Sequence, residues 1–558
     1  MNYRKILLGI FALFCLIISL IVIMPSGMSR CENNACGDYY YGAHEHDGVW
    51  HIAVSEMLIN SGNWQMPTFA GENLTGYNYG IDLLVAGLSR TTTISTKDWY
   101  FRGLPLLWGL GIIYYLFQFA KRYRPTPSFP WFLLIFSFFG SSFSYALNLF
   151  HNGTIWGSSG LLSMQALQVM TNPQLGLSLL LLLVYLNRLI GSHKTSYKES
   201  LVLGLLVAAS FALKFYTGVI LAFIVFVNFI LELKSNSKNW LKIITRHLVM
   251  AIPVLLVAVW LYQPSGKPFP LLWKPFATVA PLIEDSQLFY IPVWAQRLYT
   301  TSGAALFGLN LLITLIFIVM NYGIRFVAIF IPLIKASIDS RRVRTLLITG
   351  SVIGLLISVL FVQTGIWWNT VQFLHVSLFL SGIIAAEVFD QLYVAAKWRF
   401  AKASLVILLV AALLPNNLDV IRTFASSKGT SYVSEQEIEA LNHLRDLPEG
   451  IVFTSLFKPG EQTSNTTPLL SHRFDTAYVT AYSGKVTYFA DLTQLQLLSI
   501  PYTEREKIVA SYDCQILKEV DYLYEEHRDR YLHLFSGCSA VIRERFRNEF
   551  VTIHEIVQ

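Results

Sequence analysis

Residues 41–89 read YGAHEHDGVWHIAVSEMLINSGNWQMPTFAGENLTGYNYGIDLLVAGLS and come after the first hydrophobic segment of a 558-residue chain. No other long stretch of the N-terminal half is as polar. Two carboxylates, Glu45 and Asp47, stand among three histidines, His44, His46 and His51, at the start of an expected helix. That crowding of titratable groups marks an active-site loop. If residues 44–48 are extended, Glu45 and Asp47 point to the same side about 7 Å apart, a separation that grips a sugar hydroxyl or shares a divalent cation. If a helix begins at Asp47, then Asp47, His51 and Ser55 share one face, and Trp50, Val54, Met57 and Leu58 form an apolar stripe. Two other readings stand beside these. Asp47 is a helix N-cap, or His44, His46 and His51 bind a metal with the carboxylates, since imidazole and carboxylate suit zinc-like ions.

Outward from this stretch the chain is apolar. With 54% hydrophobic and 14% charged residues and a mean hydropathy of +0.49, it falls well short of the roughly one-quarter charged residues of a soluble protein. The fold class expected is therefore a polytopic α-helical membrane protein. The formal charge of +7 does not imply a nucleic-acid partner, because Lys and Arg collect in cytoplasmic loops and set topology. The N-terminal run ILLGIFALFCLIISLIVIM is long enough to span and lacks a small-residue cleavage site, so it reads as an uncleaved first helix.

Further apolar runs give about eleven spans, with the gaps KRYR, NRLIGSHKTSYK, KSNSKNWLKIITR, SRRVR and KWRFAK on the inner side. The N-terminus is placed inside and the C-terminus outside. External loops are expected at 25–100 and 263–303. The run Leu201–Leu233 is too long for one span and breaks around Lys214 into a hairpin of two helices. An ionisable residue at that depth is a functional candidate; snorkelling to the interface is its plainer reading.

The composition turns polar from about residue 416, which divides the chain into a transmembrane domain, 1–415, and an external α/β domain, 416–558. In the latter, Ser434 stands three residues before Glu437, a capping-box start, and GIVFTSL and VTIHEIV alternate like strands. Cys31 and Cys36 share the first external loop and Cys514 and Cys538 the C-terminal domain. Two external pairs are expected as disulfides of an oxidising compartment.

The order Asp47, Ser55-Glu56-Met57, Gly62-Asn63-Trp64, Pro67, Gly71-Glu72 and Tyr77-Asn78-Tyr79 resembles the first external loop of the GT-C membrane glycosyltransferases. The branch it is similar to includes the aminoarabinose and protein O-mannosyl transferases. Gly48 stands where that family has a second acidic residue, and Tyr77-Asn78-Tyr79 replaces paired prolines, so Glu45 is left to supply the second carboxylate. The resemblance implies a plasma-membrane enzyme taking a sugar from a polyprenyl-phosphate-linked donor to a glycan, lipid or protein acceptor. It implies Asp47 or Glu45 as general base, and inversion at the anomeric carbon. Basic residues must then compensate the departing lipid phosphate. Lys214 leads, ahead of Lys267, Lys274 and Arg297, with His51, Tyr77 and Tyr79 lining the substrate. No cofactor is demanded; a divalent cation is the one the pattern admits. The competing class is a transporter or flippase of lipid-linked sugars, or a non-catalytic protein of the same fold. A transporter should show internal repeats and midplane charges, and neither is clear.

Overall fold

The computed structural model of the chain describes residues 3–60, 62, 64–157, 163–190, 196–262, 271–284, 292–334, 338–363, 367–425, 430–458 and 467–557. Two compact units result, one of Met1–Val22 with Pro105–Arg422 and one of Ile23–Leu104 with Thr423–Gln558.

The first unit is helical and makes the chain a multi-pass membrane protein. Among the described residues eight helices are long and apolar enough to cross a bilayer, or nine if the bent pair Phe129–Phe139 and Ser144–Asn152 is one span. Each of the eleven expected segments falls on a helix. Three of them, however, the bent pair, Pro173–Leu189 and Tyr197–Leu213, do not pass as single full-length spans. Several helices outrun their apolar cores, as Trp240–Tyr262 and Arg399–Ala425 do, because polar flanks go on making helical hydrogen bonds where hydropathy no longer marks them.

The span Trp368–Ala395 is 94% buried against 17–44% for the others, so it is the one the others surround. Its last turns carry Glu387 and Asp390, both buried. Arg344 and the Tyr123 hydroxyl, 2.6 Å away, bind Glu387. Arg124, Thr126 Oγ1 at 2.8 Å and Ser128 Oγ at 2.5 Å bind Asp390. Cations from two of the basic gaps are thus tied to one helix end, where buried carboxylates persist only if paired.

The helix break at Lys214 is sharp. Tyr197–Leu213 ends and Phe215–Ser235 begins on either side of this one extended residue (φ −154, ψ 111). The backbone ladder is little interrupted: Lys214 N–H donates to Ser210 O at 2.8 Å, and Gly218 N–H to Lys214 O at 3.1 Å.

The second unit groups Ile23–Leu104 with Thr423–Gln558, whereas the sequence reading divides the chain at 415/416 and puts 25–100 with the membrane domain. Met28–Glu32 and Ala35–Tyr41 form an antiparallel hairpin around Asn33 and Asn34 (φ 48 and 68), the positive angles that a two-residue turn needs. Thr430–Ser434 adds to it in register Tyr39↔Tyr432. The segment after the first helix and the C-terminal segment therefore share one sheet. A second sheet, in the order Val452–Phe453, Tyr522–Glu526, Val551–Val557, Val541–Arg547, is parallel at its first pair and antiparallel thereafter. The expected strand GIVFTSL shortens to Val452–Phe453, whereas VTIHEIV is a strand throughout. Glu435–Asp446 carries the capping box at Ser434 and Glu437.

Cys31 pairs with Cys36 across the hairpin, and Cys514 with Cys538 over a separation of 24 residues. Closing a loop of that size contributes about 3 kcal/mol. A non-reducing digest is expected to release the 514 and 538 peptides joined. Recovery of both as free thiols from protein kept oxidised would rule the bridge out.

Candidate active site

Gly42 turns the chain from the hairpin into the site. Its φ is +52, and a Cβ there would stand 2.9 Å from the Phe424 ring, so glycine is needed on both counts. A short 3-10 turn, Gly42–Glu45, precedes the helix Asp47–Asn60. Of the two local geometries, then, the helical one is adopted, and the extended pairing of Glu45 with Asp47 is not. His46 O accepts from Trp50 N–H at 3.0 Å. The cap is therefore His46, and Asp47 is the first helical residue, where a carboxylate is favoured by the helix dipole.

The two carboxylates have different surroundings. The Asp47 side chain is 50% exposed, whereas Glu45 is buried and faces Arg473 Nε at 3.3 Å. Burial pushes the Glu45 carboxyl up to about 8 against the pull of Arg473. Of the two, only Asp47 reaches solvent. Glu45 holds its proton better folded than unfolded, so its contribution to stability is full below about 4.5 and is lost as pH rises towards 8. Glu45→Gln is expected to remove that alkaline loss, at most about 1.4 kcal/mol per pH unit. Melting curves of the variant and the parent at pH 5 and pH 8.5 check it.

Gly48 now has a reason. A Cβ at this position would lie 2.7 Å from Phe101 Cζ and 3.3 Å from His44 Cβ. The packing that seats His44 against Phe101 leaves no room for a second acidic side chain.

The three histidines diverge in their contacts. His44 Nδ1 bonds Ser26 Oγ at 2.6 Å, between the rings of Phe101 and Phe424. His51 Nδ1 bonds Asp82 Oδ1 at 2.8 Å in the interior. His46 lies between two carboxylates, with Nδ1 3.3 Å from Asp47 Oδ1 and Nε2 2.8 Å from Asp491 Oδ1. Burial disfavours the charged His46 ring, but Asp491 and Asp47 outweigh it and raise it to about 11. Behind it, Asp475 accepts from the Asp491 and Leu492 N–H groups, both at 2.8 Å. Burial and the Asp491 charge raise the Asp475 carboxyl. Among the described residues the one group with metal-ligand spacing is Cys31, Cys36 and Glu435, and its sulfurs are taken by the disulfide.

His51, Tyr77 and Trp50 form a second network. Trp50 Nε1 donates to the Tyr77 hydroxyl at 2.9 Å, which lies 3.4 Å from His51 Nε2, while the His51 ring stacks on Tyr100. Tyr79 packs on Trp64 with ring centroids 4.5 Å apart. The Glu of Ser55-Glu56-Met57 is a tie: Thr96 Oγ1 donates to Glu56 at 2.6 Å, and Arg445 Nη2 is 3.3 Å away.

Glu45, Asp47, His51, Tyr77 and Tyr79 thus share the second unit. Lys214, Lys274 and Arg297 belong to the first, and Lys267 lies outside the described residues. Lys214 is 8% exposed, its Nζ 5.8 Å from the Tyr216 ring centre. Lys274 and Arg297 are exposed. Sequence reasoning missed Asp82, Asp475 and Asp491. Asp82 carried a signal, an acidic residue inside the apolar run IDLLVAGL, to which the logic applied at Lys214 extends. Asp491 showed only as the cap of DLTQ.

No protein-family model and no curated protein sequence matches the chain. Solved structures do. The apo crystal structure of the Archaeoglobus fulgidus oligosaccharyltransferase matches with a TM-score of 0.50 at 12% identity, over 94% of this chain and 70% of that one. The apo crystal structure of ArnT from Cupriavidus metallidurans gives 0.49 at 9% identity, over 99% and 97%. At such identities the likeness is one of fold. The chain has the fold of that oligosaccharyltransferase.

Proposed function

We propose that the protein is a membrane glycosyltransferase that moves a sugar from a polyprenyl-phosphate-linked donor to an acceptor hydroxyl, with Asp47 as general base. One observation carries the reading: Asp47, at the family's matching position, is half exposed and held through one oxygen by His46, while Glu45 is buried against Arg473. The oligosaccharyltransferase fold supports it.

In the reaction Asp47 takes the proton of the acceptor hydroxyl as that oxygen attacks the anomeric carbon. The bond from that carbon to the lipid-phosphate oxygen breaks, the phosphate leaves with the electron pair, and configuration inverts. Proton transfer of this kind supplies about 10²- to 10⁴-fold. Lys214, in the membrane unit, is assigned to a lipid phosphate, whose charge must be compensated before it can leave. The proton and charge steps use this chain's own residues. A divalent cation finds no third converging donor beside Asp47 and His46 among the described residues. The active side is the outer face of the plasma membrane, the N-terminus is cytoplasmic, and residues 416–558 are extracytoplasmic.

The test is transfer in proteoliposomes. Protein supplied with radiolabelled polyprenyl-phosphate hexoses and pentoses is expected to move label to an added hydroxyl acceptor from one of them. Label that stays on every donor with folded protein and an envelope-glycan extract as acceptor would overturn the enzymatic reading.

A further inference from the structure

We propose that His46 is a positioning residue for Asp47, held in place by Asp491 from the C-terminal segment; this rests on Asp47 being the base. The geometry needs a cation. An imidazole with a carboxylate oxygen at each nitrogen, 2.8 Å to Asp491 and 3.3 Å to Asp47, satisfies both only when both nitrogens donate, which is the protonated form. The elevation of His46 to about 11 agrees.

Asp491 is built for this contact. It is fully buried, and its φ of +55 lies in the left-handed region, uncommon for a residue with a side chain. It also caps the helix Leu492–Leu497, accepting from Gln494 N–H at 3.3 Å. Asp475 grips the backbone on either side of that turn through the Asp491 and Leu492 N–H groups. A buried ionised carboxylate is costly unless paired, and His46 is its cationic partner. The chain of contacts runs from Asp475 through Asp491 and His46 to Oδ1 of Asp47. It restricts the rotation of a half-exposed side chain that must meet an acceptor hydroxyl.

The groups facing His46 are Asp47 and Asp491, with Asp475 behind, so its removal has two readable consequences. In full-length protein, His46→Gln is expected to lower kcat about 10- to 100-fold, the cost of a misplaced base, with donor KM unchanged. Asp491→Asn should act in the same direction, and the double variant should be no slower than His46→Gln. Asn tolerates the left-handed backbone and still caps a helix, which guards the fold. Separately, modification of Asp47 by a water-soluble carbodiimide, which requires the protonated carboxyl, is expected to rise about tenfold at pH 6 in His46→Gln, because loss of the neighbouring cation lets the carboxyl hold its proton more tightly. Mass spectrometry of the Asp47 peptide reads it.

Unchanged kcat in folded His46→Gln overturns the proposal even if labelling rises. A slower rate without altered labelling does so too, by assigning His46 to something other than Asp47. If wild-type protein transfers no sugar at all, the enzymatic reading fails by itself. The labelling then decides the pairing: a rise supports the His46–Asp47 contact, and no change overturns it.

Discussion

Asp47→Asn is expected to reduce turnover by about 10²-fold or more with the fold intact. The carboxamide keeps the shape of the side chain but cannot accept the acceptor's proton. Its structural cost is small because the side chain is 50% exposed; the helix-dipole interaction, about 0.3 to 1 kcal/mol, and the charge of the 3.3 Å contact with His46 are lost. Asp47→Ala should lose the same activity and little more stability. A purely structural Asp47 predicts the reverse, near-normal transfer with Asn and a fall in melting temperature with Ala. Single-turnover transfer in proteoliposomes beside thermal unfolding separates the two. Full activity in folded Asp47→Asn protein would remove Asp47 as the base and shift the assignment to Glu45, buried against Arg473.

Lys214→Met is expected to cut kcat/KM for the lipid-phosphate donor by about 10²-fold, the usual cost of losing one donor to a developing anion. The site supports this placement. Lys214 is the extended residue between two helices of a candidate membrane hairpin, and it is nearly buried. Irregular backbone at membrane depth is tolerated where it lines protein or a cavity, and half-helix ends there meet charged ligands. Methionine matches the lysine stem in length and flexibility, so packing beside Tyr216 is kept while the charge goes. Lys214→Arg should recover part of the loss. Equal kcat/KM for Met and Lys at matched protein levels would return Lys214 to a structural role.

Much of the membrane unit was legible because its signals are local. A run of apolar residues, a break at a lysine and a basic gap each report on a few consecutive positions, and hydrogen bonds within helices connect residues four apart. The same holds for the capping box at Ser434 and Glu437, realised three residues apart. The deep burial of Gln372–Ala395 was not legible. A predominantly apolar span looks alike whether lipid or protein surrounds it; here it is protein, with the Arg124 and Arg344 gaps folded onto Glu387 and Asp390.

The second unit divides differently. By itself the sequence determined that Asp47 follows the first span in one of two local geometries, extended or the start of a helix, that it lies among residues in the order of the family it resembles, and that cysteines fall in two pairs. Tertiary structure alone decided which carboxylate faces outward, why Gly48 has no side chain, and that Tyr39 lies against Tyr432. His46 and Asp491 are 445 residues apart, and neither position carries a trace of the other. Strand register and buried ion pairs depend on which distant segments exclude water from one another, and no local pattern encodes that; helices close their hydrogen bonds within their own turns and so announce themselves.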